Sequence, residues 1–405
     1  MAKVSTAMVC ESEVQWSFVR FGDLVANVKE TVDRENTALS CYIAGEHMST
    51  EDIHLRSWGE LSDDYLGPAF HRRFENGQVL YGSRRTYLKK VAVASFDGIT
   101  ANTTFVLESL DEQKLLQRIL PFIMLTDDFT EHSIRESKGS VNPYVNWKDI
   151  AKYKFHLPSI ERQRVIVELL LTADVAYEKN LLVQRDIERF LNTKTREFLS
   201  RGWDKKKCHD VFRVDPRNGY SPKTNASETG CPTLSISAVR DGEIIPEGNL
   251  KYAEIAPADL EKFRLHPGDI LVVRGNGNRL LCGKCGVVST VPTDCFYPDL
   301  LIRVSFDPIQ VDPRFAAIQW NEPSVHRKLL SRAQSTNGIW KINGKDVRQH
   351  GFTVPPLPDQ EEFLESMVAP QQALAKVTAN LVELFKMKKA LANTLLSPPA
   401  KGGGA

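Results

Sequence analysis

The sequence lacks long apolar segments and any large excess of one charge. It has no run of about eighteen apolar residues, which argues against a membrane-spanning helix, and residues 1–6 lack the apolar core of a signal peptide. We therefore expect a soluble, cytoplasmic protein with no membrane partner. Its 52 lysines and arginines almost balance its 51 aspartates and glutamates, so nucleic-acid binding would need local basic loops or basic partner subunits.

Cysteine is also scarce. The 405 residues contain 7 cysteines, an odd number scattered over the chain, which does not suit a disulfide framework and suggests reduced thiols. Cys282 and Cys285 stand in a sequence similar to half of a zinc site, and Cys231 and Cys295 are candidates to complete one. A structural zinc site usually has a second paired motif, which is missing here. We expect no metal.

The motifs of several enzyme classes are incomplete. The Asn-Pro-Tyr sequence at residues 142–144 is similar to the Asn-Pro-Pro-Tyr of amino-methyltransferases, but it lacks one proline and no glycine-rich adenosylmethionine-binding turn precedes it. Residues 275–277 lack the Lys-Ser/Thr of a phosphate loop. The carboxylate pairs at residues 63–64 and 127–128 fit solvated turns, and the histidines show no nucleophile–base spacing. We expect no catalytic residue and no cofactor in this chain.

The sequence does contain a long internal repeat. Residues 155–163, FHLPSIERQ, correspond to residues 352–360, FTVPPLPDQ, which lie 197 positions later. At the same offset, Lys-Asp-Ile at 148–150 corresponds to Lys-Asp-Val at 345–347. Each repeat covers about half of the protein, far more than a solenoid repeat. The chain is a duplicated two-part module.

The second part of each module has the periodicity of a long helix with a heptad seam. The seam positions are Ile166, Leu170, Ala173, Tyr177, Asn180, Gln184, Ile187, Leu191, Lys194 and Phe198 in the first copy, and Phe363, Met367, Pro370, Leu374, Val377, Leu381, Leu384, Lys388, Leu391 and Leu395 in the second. Ordinary packing of each helix on its own domain is the alternative. Because two helices of about 35 residues would each be about 50 Å long, antiparallel packing on each other is more economical. We expect Pro370 to break or kink the second helix.

The first part of each module is strand-rich. Residues 74–81 and 265–272 both predict a turn followed by a short apolar strand. A basic loop follows each strand, and the candidate DNA-binding residues in the two loops are Arg84, Arg85, Tyr87, Lys89, Lys90, Arg274, Asn276, Asn278, Arg279 and Lys284. Arginine and asparagine match the edges of guanine and adenine, whereas lysine and tyrosine suit phosphates and sugars. One basic loop is usually just solvated surface, but two different loops at equivalent places favour a shared scaffold with diverged reading surfaces.

The order of these motifs resembles the specificity (S) subunit of type I restriction-modification systems. After the turn, strand and basic loop comes a lysine followed by an apolar strand (residues 89–93 and 283–288), and then a Ser/Asn/Gly stretch (138–142 and 334–338). Lys-Asp-Ile/Val and a proline-containing helix start that ends in glutamine complete each copy. The similarity spans nearly the whole chain, and it departs from the usual Pro-Leu-Pro at residues 159–161, which are Ser-Ile-Glu.

The resemblance implies an α+β fold with an internal pseudo-twofold repeat. Two mixed, strand-rich target-recognition domains, at residues 1–157 and 202–354, would be separated by two long antiparallel helices, at 158–201 and 355–398, with a disordered tail at 399–405.

The resemblance also implies a non-catalytic role in double-stranded DNA recognition. Each domain would read one half of a split sequence, and the helices would hold the domains apart and bind two methyltransferase subunits. Adenosylmethionine is then expected on the methyltransferase, and restriction nuclease or translocase subunits are further candidate partners. The main alternative is a coiled-coil scaffold with duplicated protein-binding heads. An enzyme ranks third, since the sequence offers no catalytic motif.

Overall fold

The computed structural model divides the chain into two compact units. The first unit consists of residues 1–181 and 379–405, and the second of residues 182–378. The limits of both units therefore fall inside the long helices. The predicted disordered tail at 399–405 and the acidic pair at 63–64 lie outside the residues that the structure describes, which are 16–33, 36–62, 66–240 and 242–398.

The first unit mixes strands with helices. Its strands are β1 (Trp16–Arg20), β2 (Val25–Val28), β3 (Cys41–Ile43), β4 (Gly59–Glu60), β5 (Phe70–Phe74), β6 (Val79–Gly82), β7 (Val91–Val93), β8 (Gly98–Ala101), β9 (Thr104–Ser109) and β10 (Lys154–Pro158). Its helices are α1 (Leu120–Leu125), α2 (Asp127–Arg135), α3 (Trp147–Ile150) and α4 (Ile160–Leu199), of which α4 continues into the second unit.

The second unit has the same kind of composition. Its strands are β11 (Asp204–Lys207), β12 (Phe212–Asn218), β13 (Thr224–Asn225), β14 (Cys231–Leu234), β15 (Val239–Arg240), β16 (Gly242–Ile244), β17 (Leu250–Ala253), β18 (Ile270–Val273), β19 (Gly275–Asn276), β20 (Cys285–Val287), β21 (Leu301–Phe306), β22 (Gln334–Thr336), β23 (Ile339–Lys341) and β24 (Gly351–Val354). Its helices are α5 (Pro257–Phe263), α6 (Pro313–Asn321), α7 (Pro323–Leu330), α8 (Gly344–Arg348) and α9 (Leu357–Leu395), of which α9 continues into the first unit from residue 379. In the described residues no helix is both long and apolar enough to cross a membrane.

The sheets repeat between the units. The strand order β2-β9-β6-β7 of the first unit recurs as β12-β21-β18-β20 in the second, and each of these neighbouring pairs is antiparallel. The central strands β6 and β18 follow turns at Gly77 and Gly268, whose φ angles of +88° and +89° strongly favour glycine. The predicted turn-and-strand pattern, the α+β class and the internal repeat are confirmed.

A buried glutamine fixes the start of each long helix. In the first unit the Gln163 amide nitrogen donates to the carbonyls of Lys114 (2.8 Å) and Pro158 (3.0 Å), and its oxygen accepts from the Leu116 amide (3.0 Å). In the second unit, Gln360 makes the same kinds of bond, to the carbonyls of Gln310 and Pro355 and from the Asp312 amide, at 2.7–2.9 Å. Both glutamines are fully buried. The last residue of the repeated FHLPSIERQ motif therefore joins the start of the helix to the neighbouring backbone in both copies.

Within each unit the two long helices pack antiparallel. In the first unit Lys388 pairs with Asp174, and the rings of Tyr177 and Phe385 lie 6.3 Å apart. In the second, Gln184 donates to Thr378 (3.0 Å), while Phe198 stacks on Phe363 with ring centroids 4.4 Å apart. The predicted seam positions are buried or half-buried along both helices. The helices and sheets together enclose the main apolar cluster of each unit.

The predicted break at Pro370 is wrong, because α9 is continuous through it. Proline has no amide hydrogen, so the Ser366 carbonyl one turn earlier loses its helical partner. The Lys194 ammonium, one of the polar groups in the seam of α4, donates to this carbonyl at 3.0 Å. Lys194, which interrupts the apolar seam of α4, therefore supplies the hydrogen bond that the Ser366 carbonyl of α9 lacks.

This pairing predicts a coupled effect on stability. Lys194→Met should lower the free energy of unfolding by about 1 kcal/mol, because a hydrogen bond to a charged group is lost and the Ser366 carbonyl stays unpaired. In a Pro370→Ala background the helix regains its own bond, so the same substitution should cost close to nothing. Urea unfolding of the four proteins measures the coupling. Lys376→Met, on the exposed side of α9, is the control; equal costs of Lys194→Met in both backgrounds would refute the pairing.

Candidate nucleic-acid interface

The loop after β6 exposes two arginines. Arg84 and Arg85 are both exposed, and the Tyr87 side chain is 52% exposed. Arg85 has a left-handed backbone (φ +50°), and its amide donates to the Pro143 carbonyl at 2.6 Å. In the described part of the chain neither guanidinium has a hydrogen bond or an ion pair. These side chains are therefore available to a ligand.

Two lysines of the same loop are already bonded within the protein. Lys89 pairs with Asp127 at 2.8 Å and with Glu51 at 3.2 Å, and its side chain is only 12% exposed. Burial lowers the pKa of Lys89, but its hydrogen bonds to the two carboxylates outweigh this effect and raise it overall. Lys90 donates to the Gly45 carbonyl. Asp127 opens α2 in an ion pair rather than a solvated turn, which corrects that prediction.

In the second loop, two asparagines shape the backbone. The Asn276 side-chain oxygen accepts the Asn278 amide hydrogen at 2.8 Å, and the Asn278 oxygen accepts that of Leu280 at 2.9 Å. The second bond caps a single 3₁₀ turn, Arg279–Leu281. Both oxygens are used within the loop, so these asparagines position the turn in addition to any contact with bases.

The basic groups of the second loop differ in availability. The Arg279 guanidinium is exposed and lies 4.6 Å from the centre of the Trp340 ring. Arg274 donates to the Asp299 carbonyl at 3.1 Å and its side chain is 30% exposed. Lys284 donates to the Asn321 carbonyl at 3.0 Å. Arg279 is therefore the cation of this loop that is best placed to meet a ligand.

The structure adds a neighbouring segment to each loop. In the second unit β19 pairs with β23, which places Asn276 opposite Trp340 and Gly275 opposite the exposed Lys341. In the first unit Arg84 forms an isolated backbone bridge with Tyr144. The residues that follow the Ser/Asn/Gly stretches at 138–142 and 334–338 thus lie beside the basic loops. Sequence reasoning noted these stretches and considered Tyr144 only as part of a methyltransferase-like Asn-Pro-Tyr sequence. It missed Trp340 and Lys341, although their equivalent place in the second repeat was a signal.

Neither cluster of metal-ligand residue types has the environment of a metal site. In the described chain Asp52, His54 and Glu178 come close together, but Arg56 binds both carboxylates, at 2.5 Å and 2.6 Å, and takes the place of a cation. Cys282 is buried in the core of the second unit, and burial raises its pKa to about 11. A metal binds the thiolate, which this environment disfavours. The pairing with Arg56 gives Asp52 and Glu178 a structural role.

The same ion-pair network anchors α4 in the first unit. His54 lies 2.7 Å from Asp174, which also binds Lys388, and 3.8 Å from Glu178. The hydrogen bond to Asp174 raises the pKa of His54 above its ordinary 6.5, although burial opposes it. Burial would raise the pKa of Asp174, but His54 and Lys388 hold it below its ordinary value.

The raised pKa of His54 predicts a pH dependence of stability. The pKa of His54 is higher in the folded than in the unfolded state. The contribution of His54 to the free energy of unfolding is therefore complete below about pH 6.5 and is lost as the pH rises through the pKa of the folded state. His54→Gln should remove part of the decrease in melting temperature between about pH 6 and about pH 8.5. His71→Gln is the control, because His71 binds the Pro68 carbonyl rather than a carboxylate. A His54→Gln variant with the wild-type pH profile would contradict this assignment.

Comparison with known sequences points to one family. Residues 13–184 match the type I restriction modification DNA specificity domain. The EcoKI specificity subunit of Escherichia coli K12 is 27% identical over 260 residues, which cover 58% of this chain and 56% of that subunit. The StySPI specificity subunit of Salmonella potsdam is 26% identical over 259 residues, with the same coverage of 58% and 56%. The matched part thus spans just over half of the length of these relatives.

Solved structures agree on the fold. The type I S subunit from M. genitalium has a TM-score of 0.53 at 12% identity, with 96% of this chain and 98% of that one covered. A chain from a study of assembly and conformational transition of the type I system has a TM-score of 0.51 at 18% identity, with 95% and 98% covered. Residues 13–184 thus resemble the type I restriction modification DNA specificity domain, and the fold of the chain is similar to that of solved S subunits.

Proposed function

We propose that this chain is the sequence-specific DNA-recognition subunit of a type I restriction-modification complex. One observation carries the proposal: β6 and β18 hold the same place in equivalent sheets, and each leads into an exposed basic loop with different side chains. A shared scaffold with different loops suits the reading of two different half-sites. The near-zero net charge fits such local contacts better than a uniformly basic surface.

The loops offer the chemistry that base recognition needs. A guanidinium donates two parallel hydrogen bonds to guanine O6 and N7. The side chains of Arg84, Arg85 and Arg279 carry this group and are exposed. The role of Lys89 in this proposal becomes indirect, since its ion pairs hold the loop against α2. DNA methylation, and cleavage where nuclease subunits join, would be the work of partner subunits, with adenosylmethionine bound by the methyltransferase.

We expect a substitution in either loop to affect the recognition of one half-site only. Arg84→Ala and Arg279→Ala should each weaken binding to the recognised duplex by about 1–3 kcal/mol, and each should relax only one half of the sequence. Selection from a randomised duplex library by the complex with its methyltransferase gives both results. Arg189→Ala is the control, because Arg189 is 77% exposed on α4 but lies outside both loops.

Two outcomes would count against this assignment. Equal losses on recognised and random duplexes would make the arginines phosphate contacts. Affinity of the wild-type complex that does not fall with salt concentration would remove the electrostatic basis of DNA binding and favour the scaffold with protein-binding heads.

We further propose that the long helices bind two methyltransferase copies. Phe190 on α4 and Met387 on α9 are 197 positions apart, so they are equivalent in the repeat. They are 53% and 48% exposed, although both are large and apolar. One lies in each unit, which supports one equivalent docking surface per unit.

Substitution of these residues should change the stoichiometry. Phe190→Asp or Met387→Asp should each reduce the complex from two methyltransferases per chain to one, because a buried unpaired carboxylate opposes docking. Native mass spectrometry counts the copies. Ile309→Asp is the matched control, since Ile309 is 77% exposed but lies off the helices. Retention of both copies by the two variants, or loss of both copies from either one, would refute the assignment of one site to each residue.

A further inference from the structure

The second loop has an exposed apolar tip, formed by Leu280 and Leu281, to which the proposed arginine contacts assign no role. Leu280 is 67% exposed and Leu281 is 48% exposed, and they form the 3₁₀ turn together with Arg279. An isolated exposed leucine is common on protein surfaces. This pair is notable because it lies in the loop that also presents Arg279.

The backbone holds Leu280 outward. On one side the Asn278 side chain accepts the Leu280 amide hydrogen at 2.9 Å. On the other side the Cys282 amide donates to the Arg279 carbonyl at 3.2 Å, and Cys282 itself is fully buried in the core. Because both ends of the turn are fixed, Leu280 would have to break these bonds to fold inward.

The surroundings of the tip favour DNA as its ligand. Arg279 lies over Trp340, the next residue Lys341 is exposed, and Arg274 is partly exposed in the same loop. An apolar group among cations complements the major groove, where the thymine 5-methyl group lies between phosphate backbones. In the loop of the first unit the corresponding exposed groups are Arg84, Arg85 and Tyr87, so the two loops differ in this respect.

We propose that Leu280 contacts the 5-methyl group of a thymine in the major groove and so determines specificity in the half-site read by the second unit. The inference rests on the proposed DNA-recognition function. It assigns an A·T pair to that half-site, which the arginine contacts alone do not require.

The test combines a protein change with a DNA change. Binding of the full chain, in complex with its methyltransferase, is measured on the recognised duplex with each thymine of that half-site replaced in turn by uracil. One uracil position should weaken wild-type binding by about four-fold, the effect of burying one methyl-sized group. Leu280→Ala should weaken binding to the thymine duplex to a similar extent, and uracil at that position should then cost nothing further. Ile309→Ala is the control and should keep the wild-type response to uracil.

The outcomes separate the inference from the function on which it rests. Three results would each overturn the thymine contact. The losses of affinity from Leu280→Ala and from every uracil could be independent and multiplicative, or Leu280→Ala could weaken binding to random duplexes equally. The third such result is a half-site without an A·T pair. Loss of methyltransferase from the Leu280→Ala complex would assign the tip to a protein partner instead. In all these cases the wild-type complex still prefers its own sequence. Absence of that preference would overturn the proposed function itself.

Discussion

The buried glutamine at the start of each long helix is the contact on which the rest of the architecture depends. Gln163 and Gln360 each bind two carbonyls and one amide of the surrounding backbone. A backbone group that is buried without a partner costs about 1–3 kcal/mol, and each glutamine side chain supplies a partner to three backbone groups. The start of each long helix is thereby fixed against the rest of its own unit.

The polar residues of the seams determine which surfaces pair. Gln184 binds Thr378 and Lys194 binds Ser366 in the second unit, while Lys388 binds Asp174 in the first. Polar groups inside a helical seam usually reduce stability, but they disfavour registers in which they lack partners. The apolar heptad residues hold the two helices together, and the polar contacts select one antiparallel register.

Local patterns made much of the fold predictable. Turns at Gly77 and Gly268, the strands after them and the heptad positions all depend on near neighbours in sequence, and the internal repeat provided two observations of each. The basic loops were found in the same way. Pairing between distant residues was not predictable: Lys89 meets Asp127 from another element, and Lys194 reaches a carbonyl that Pro370 leaves unpaired. The missed residues Trp340 and Lys341 approach their loop only through the pairing of β19 with β23.

In the proposed function, two diverged loops on one repeated scaffold read two parts of one DNA sequence. Mapping of methylated bases in host DNA, with and without this gene, tests it most directly. We expect one methylated motif of two specified parts separated by unspecified bases, and loss of this motif when the gene is deleted. A motif that persists after deletion, or one continuous specified sequence, would contradict it.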